Sequence, residues 1–120
     1  MSTITRFDLA RFARAVEERD AATQLSMYAQ DATVTIVDKI TQPGSPRVLG
    51  TRAEIREWLQ DTYGRDMTHQ VGHAVNDESG GGFAVACRYP DGTNVVCLTV
   101  FKTDGGRIAE QTIAQVWDEQ

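Results

Sequence analysis

Gly50-Thr51-Arg52-Ala53-Glu54-Ile55-Arg56-Glu57 opens a helix. Thr51 and Glu54 stand at capping-box spacing: the threonine hydroxyl accepts a free first-turn N–H, and the glutamate reaches back to the start of the helix. Ile55, Trp58, Leu59, Thr62 and Tyr63 then recur at three- and four-residue steps, which puts them on one face. Gly64 ends the helix. This helix divides the chain. The residues before it read mainly as helix, and those after it read as sheet.

Working back toward the N-terminus, Thr5 and Asp8 have capping-box-like spacing, and Leu9, Phe12, Ala13 and Val16 form an apolar stripe that predicts a helix ending near Arg19. Asp20 is placed to cap a second, shorter helix with a stripe of Ala21, Leu25, Tyr28 and Ala29. The β-branched run Asp31 to Asp38 predicts a strand. Lys39 to Gly50 contains Pro43, Gly44 and Pro46 and reads as a loop, with some extended character.

Beyond Gly64 the pattern alternates. Met67, His69, Val71, His73 and Val75 share one side of a strand. Asn76 to Gly82 is a polar, glycine-rich turn, and Phe83 to Tyr89 a strand. Pro90-Asp91-Gly92 is a hairpin turn, because proline presets one dihedral and glycine accepts a positive one. Thr93 to Lys102 is a long strand, Asp104-Gly105-Gly106 a turn, and Arg107 to Asp118 the last strand. Helices first and an antiparallel meander last make the fold class α+β, in a single domain spanning residues 1–120. Val95 to Phe101 is apolar on both faces, where a half-buried strand would alternate. It reads either as an ordinary apolar central strand or as one whose outer face is covered by an isologous partner, which predicts a homodimer.

With 120 residues, 41% of them apolar and a formal net charge of -5, the chain has no basic block to neutralise phosphates, which argues against nucleic acid and against an anionic membrane surface. No apolar run reaches the ~20 residues that span a bilayer, and Met1 to Arg6 lacks the apolar stretch of a secretory signal, so the expected compartment is the cytoplasm. Cys87 and Cys97 sit in apolar strands outside any Cys-x-x-Cys pattern and read as buried thiols.

Three phrases carry a resemblance: Tyr28-Ala29-Gln30-Asp31-Ala32-Thr33-Val34, the helix opening at Gly50 to Glu57, and Asp104-Gly105-Gly106-Arg107-Ile108-Ala109-Glu110. Together they resemble the nuclear transport factor 2-like superfamily, especially its SnoaL-like and ketosteroid-isomerase-like branches, over nearly the whole chain. The resemblance implies a cone-shaped α+β barrel in which three helices pack on a strongly bent, mainly antiparallel sheet around a small-molecule pocket. It says little about activity, since the superfamily mixes isomerases, cyclases, dehydratases, epoxide hydrolases and non-catalytic binders. The isomerase's groups do not carry over: its base position matches Ile36, its oxyanion-hole tyrosine Phe12, and its protonated aspartic acid falls near Thr99. The Asp-Arg-Asp cluster of the epoxide hydrolases is not matched either, because Asp91, near Arg88, belongs to a turn.

Other residues must therefore carry any chemistry. If Val34 and Ile36 face the pocket, alternation sends Asp38 to its rim as a general base; otherwise it is a solvated strand-end carboxylate beside Lys39. His69 is the second candidate, as an acid-base or hydrogen-bonding group, against the plainer reading of a core histidine. His73 shares its face, but four strand residues separate the two by roughly 13 Å, too far to ligate one metal, so no metal site is expected. On the last strand Gln111, Ile113, Gln115 and Trp117 face the pocket unless the register is off by one. Phe83, Val85, Cys87 and Tyr89 line the neighbouring strand, and Phe12, Val16, Trp58 and Tyr63 close the helical side, alongside Ile36 and Thr99. The same apolar residues also read as plain core. The expected function is cofactor-free acid-base catalysis of isomerisation, cyclisation or dehydration on an apolar oxygenated ring compound, with Asp38 and His69 as the proton-transferring pair; the alternative is a non-catalytic binder or dimeric scaffold.

Overall fold

The computed structural model describes residues 6–118. Three helices precede or interrupt the sheet: α1 (Leu9–Glu17), α2 (Ala21–Ser26) and α3 (Arg52–Tyr63). Each begins where a side chain satisfies a free backbone N–H. The Asp8 carboxylate accepts from Arg11 N, Asp20 from Thr23 N, and the Thr51 hydroxyl from Glu54 N. Asp8 is thus itself the cap of α1, and Thr5 lies outside the described residues. At α3 the box closes through Glu54, which accepts from the Thr51 hydroxyl and from Gly50 N.

The strands are β1 (Tyr28–Val37), β2 (Arg47–Leu49), β3 (Thr68–Asn76), β4 (Gly80–Arg88), β5 (Asn94–Asp104) and β6 (Arg107–Trp117). They form one mixed sheet in the order β2-β1-β6-β5-β4-β3. The C-terminal meander is antiparallel throughout, whereas β1 enters beside β6 in parallel. This is the α+β architecture expected, with three helices against a mixed, mainly antiparallel sheet.

Two local expectations change and a third is sharpened. Tyr28 and Ala29 belong to β1 and not to α2, because the helix ends at Ser26 and Ile108 N donates to Met27 O, drawing the chain into the sheet. The Lys39–Gly50 loop contains β2, which pairs Leu49 with Val34. Gly80, Gly81 and Gly82 lie in β4 and not in a turn. A Cβ at Gly80 would come within 2.1 Å of Phe101 O, and one at Gly81 within 2.2 Å of Val75 O, so neighbouring backbone occupies the space a side chain would need.

Phe12, Tyr28, Val34, Ile36, Ile55, Leu59 and Ile108 are almost fully buried and form the centre of the core between the helices and the concave sheet face. A group of tilted and edge-on rings, Phe7, Phe12, Tyr28, Phe83 and Phe101, fills the end of that core nearest α1. Arg52 ties the helices to the sheet by donating to Leu25 O at the end of α2 and to Tyr28 O at the start of β1. Among the described residues no helix is long and apolar enough to cross a membrane.

Candidate functional site

Between the helices and the concave sheet face lies a cavity of about 120 Å³. Phe12 and Val16 reach it from α1, Ile36 and Asp38 from the end of β1, and Trp58 and Tyr63 from α3. His69 comes from β3, Phe83, Val85 and Cys87 from β4, and Tyr89 from the turn after it. Thr99 comes from β5, and Gln111, Ile113 and Gln115 from β6. The alternation along β6 explains the last set: Gln111 and Ile113 are buried while Thr112, Ala114 and Val116 are exposed.

His73 is the exception. It is exposed, and it sits in an irregularity of the β3–β4 pairing between Gly72 and Val75. Its φ of 53° is left-handed, which breaks the alternation that would have carried it inward with His69. His73 is therefore not a cavity residue. Arg88 is also exposed, and the Asp91 carboxylate is occupied by Thr93 N in the hairpin turn.

The inner end of the cavity is polar. Tyr63 donates to Gln24 Oε1, Gln24 Nε2 approaches Tyr28 Oη at 3.5 Å, and Tyr28 donates to Gln111 Oε1. Burial pushes both phenols well above the ordinary tyrosine range, with the neighbouring Tyr28 adding to the effect at Tyr63. Gln111 Oε1 is thereby engaged, and its amide Nε2 is the group's donor. Gln115 is likewise oriented, accepting from Trp117 Nε1 at 3.0 Å.

The mouth carries charge. Asp38 Oδ1 accepts from Ile40 N at 3.0 Å, and the neighbouring Lys39 places Nζ 4.6 Å from the Trp117 ring centroid. Trp117 in turn stacks on Tyr89. Arg65 bonds both the Tyr89 hydroxyl and the Asp61 carboxylate; the Tyr89 bond chiefly holds the guanidinium charged, with Asp61 adding to it. Arg47 also lines the opening.

His69 lies deeper. Its Nδ1 is 3.2 Å from Cys87 Sγ, and its ring meets Tyr63 edge-on at 5.4 Å. Its Nε2 is buried and has no hydrogen-bond partner, the one such side-chain atom among the described residues. Those residues contain no group of three or more His, Cys, Asp or Glu side chains placed to hold a metal ion.

Sequence reasoning missed Gln24, Arg47, Asp61, Arg65 and Cys97 as lining residues. Trp117, on the face it shares with Gln111 and Gln115, lines the cavity as the alternation predicts. Asp61 and Arg65 are four apart at the end of α3, a helical pair signal. Gln24 gave none, because its role depends on where Tyr28 lands.

No curated protein matches the chain. Among solved structures, a protein from Sphaerobacter thermophilus aligns with a TM-score of 0.70 and 22% identity, covering 97% of this chain and 100% of that one. The epoxide hydrolase/cyclase-like enzyme SalBIII, which has a role in pyran ring formation in the polyether salinomycin, aligns with a TM-score of 0.68 and 24% identity over 89% of this chain and 86% of its own. An NTF2-like protein of unknown function from Burkholderia xenovorans aligns with a TM-score of 0.74 and 14% identity over 93% and 80%. At these identities the likeness is one of fold. The SnoaL-like domain family matches residues 9–111, most of the chain from α1 into β6, and this protein belongs to that family.

Proposed function

We propose that the chain is a cofactor-free acid-base catalyst for a compact, oxygenated one-ring compound, with Asp38 and His69 moving protons and Gln111 and Gln115 holding oxygens. The observation that carries this reading is His69, whose buried Nε2 has no partner, on the wall of a cavity that Asp38 also lines. Leaving such a group unpaired costs about 1–3 kcal/mol, which a ligand oxygen that reached it would recover. The size of the ligand follows from the volume. A cavity of about 120 Å³ is small beside the roughly 300–1,000 Å³ of drug-sized sites, and near the ~150 Å³ of a protein cavity that accepts benzene. A steroid is too large for it without rearrangement. The fold relative SalBIII is named as an epoxide hydrolase/cyclase-like enzyme of ring formation, and ring closure is among the reactions this constellation would serve.

The test is conversion of a panel of one-ring hydroxyketones, epoxides and enones, followed by NMR. Conversion by the wild-type chain, lost in both Asp38→Asn and His69→Gln, is the expected result. Conversion that survives both substitutions removes the pair from the mechanism.

The same reading includes a second copy of the chain on the outer sheet face and residence in a reducing compartment such as the cytoplasm. The support for the dimer is Val96, Leu98 and Val100 on β5 beside Val116 on β6, each 44–66% exposed on a face where water gains nothing from them. The pairing of Val96 with Val116 and of Leu98 with Ala84 and Ala114 makes the patch continuous across three strands. The support for the compartment is that Cys87 and Cys97 are free thiols.

A further inference from the structure

The acid-base reading leaves one nucleophile unused. Cys87 is buried, lines the cavity, and has Sγ 3.2 Å from His69 Nδ1. Val85 pairs with Cys97 and Cys87 with Val95, so the two cysteines are diagonal neighbours on adjacent strands, and both face the cavity. The titratable groups around Cys87 Sγ are Cys97 from β5, His69 from β3 and Tyr63 from α3.

We propose that Cys87 and His69 form a thiolate–imidazole pair that makes the cavity a site for soft carbon electrophiles, in which Cys87 adds reversibly to the β carbon of a small cyclic enone. The step balances within the chain and its ligand. The Sγ lone pair forms the new C–S bond, the C=C π pair moves onto the α carbon and carbonyl oxygen as an enolate, and the imidazole N–H proton ends on the α carbon. Reversal returns the proton to His69 and expels the thiolate. No oxidant, reductant or leaving group is needed, and the net change is addition of S–H across the double bond.

The geometry assigns the roles. Of the two sulfurs, Cys87 is the one in contact with the His69 ring, its Sγ 3.2 Å from Nδ1, with Cys97 as its diagonal neighbour. The neighbouring Cys97 thiol chiefly, then the contact with His69, draw the Cys87 thiol below the ordinary thiol range against the opposing effect of burial. Cys97 moves the other way, held protonated by its bond to Cys87 and by burial. In the proposed pair Cys97 is the protonated neighbour that favours the Cys87 thiolate, and His69 is the proton carrier. The one-ring size limit of the cavity applies equally to this electrophile.

The experiment uses the full chain in reductant-free buffer with two readouts. Thiolate absorbance near 240 nm is followed from high to low pH. Covalent labelling by 2-cyclohexen-1-one is followed by intact and peptide mass, with iodoacetamide as a second probe. The expected results are one thiolate persisting to pH 6, an enone adduct confined to Cys87, and labelling at pH 6.5 at least about 10-fold slower in His69→Gln. Cys97→Ser, which retains a hydroxyl donor, should label at Cys87 with a higher apparent pKa. If Cys87→Ser or His69→Gln does not fold, the wild-type absorbance and adduct site still decide. The proposal is overturned if neither sulfur is ionised below pH 8, if the folded chain takes up no enone, or if the adduct sits on Cys97. Labelling reads the sulfur without any turnover, so its failure is separate from failure of the acid-base reading.

Discussion

Tyr28 donates its hydroxyl hydrogen to Oε1 of Gln111, 83 residues away along the chain, joining the start of β1 to the parallel strand β6. Both residues are buried, so neither can turn to water for a substitute. Tyr28→Phe would strand the Gln111 carbonyl oxygen and deprive Gln24 Nε2 of its contact. The expected cost is about 1–3 kcal/mol, read as a lower midpoint of denaturant unfolding with an unchanged slope. A midpoint equal to the wild type would mean that the network contributes nothing to stability.

The two buried phenols predict an alkaline limit. Burial raises the folded-state pKa of Tyr28 and Tyr63 above the unfolded value near ~10. Above that value the folded state binds more protons than the unfolded state, so stability is complete below about pH 10 and falls as pH rises further. In a Tyr89→Phe background the chain's three tyrosines are reduced to these two. Tyrosinate absorbance near 295 nm should then appear only together with unfolding seen by circular dichroism. Ionisation ahead of unfolding would show that the pair is open to solvent.

Helix α3 depends on its first turn. Thr51→Ala removes the acceptor for Glu54 N and the hydroxyl that bonds the Glu54 carboxylate. A loss of about 1 kcal/mol is expected in denaturant unfolding, and Thr51→Ser should restore most of it. Equal stability of the alanine and serine variants would contradict the capping role.

The outer sheet face predicts an oligomer that a single charge removes. Sedimentation should give a dimer for the wild type and a monomer for Leu98→Glu, with unchanged circular dichroism, since the Leu98 side chain is about half exposed in the single chain. A wild-type monomer at micromolar concentration would contradict the isologous face.

The sequence made the sheet-forming half legible because alternation and turns are local signals. Pro90-Asp91-Gly92 and Asp104-Gly105-Gly106 place the hairpins, with Gly92, Gly105 and Gly106 all at positive φ. The face of β6 followed from its alternation. The parallel pairing of β1 with β6 was not legible, because nothing near Tyr28 records which strand will lie beside it. That pairing moved Tyr28 out of the helical stripe and created the network with Gln24 and Gln111. His73 was misplaced for a related reason: a bulge shifts the inward face by one residue, and Gly72 only hints at where. The contact of His69 with Cys87 needed the β3–β4 register, which sets those two residues directly opposite each other.

The central claim is that Asp38 and His69 act as a proton-transferring pair on a ligand in this cavity. The most direct measurement is deuterium exchange at the α carbon of cyclohexanone in heavy water, followed by NMR. Trp58 and Trp117 are the chain's two tryptophans and both line the cavity, so their fluorescence reports whether the ketone binds. The account predicts binding, exchange faster than in buffer alone, and a loss of that acceleration by about 100-fold or more in Asp38→Asn and in His69→Gln with binding retained. A ketone that quenches the tryptophans while exchanging no faster than in buffer, or an acceleration untouched by both substitutions, would contradict it.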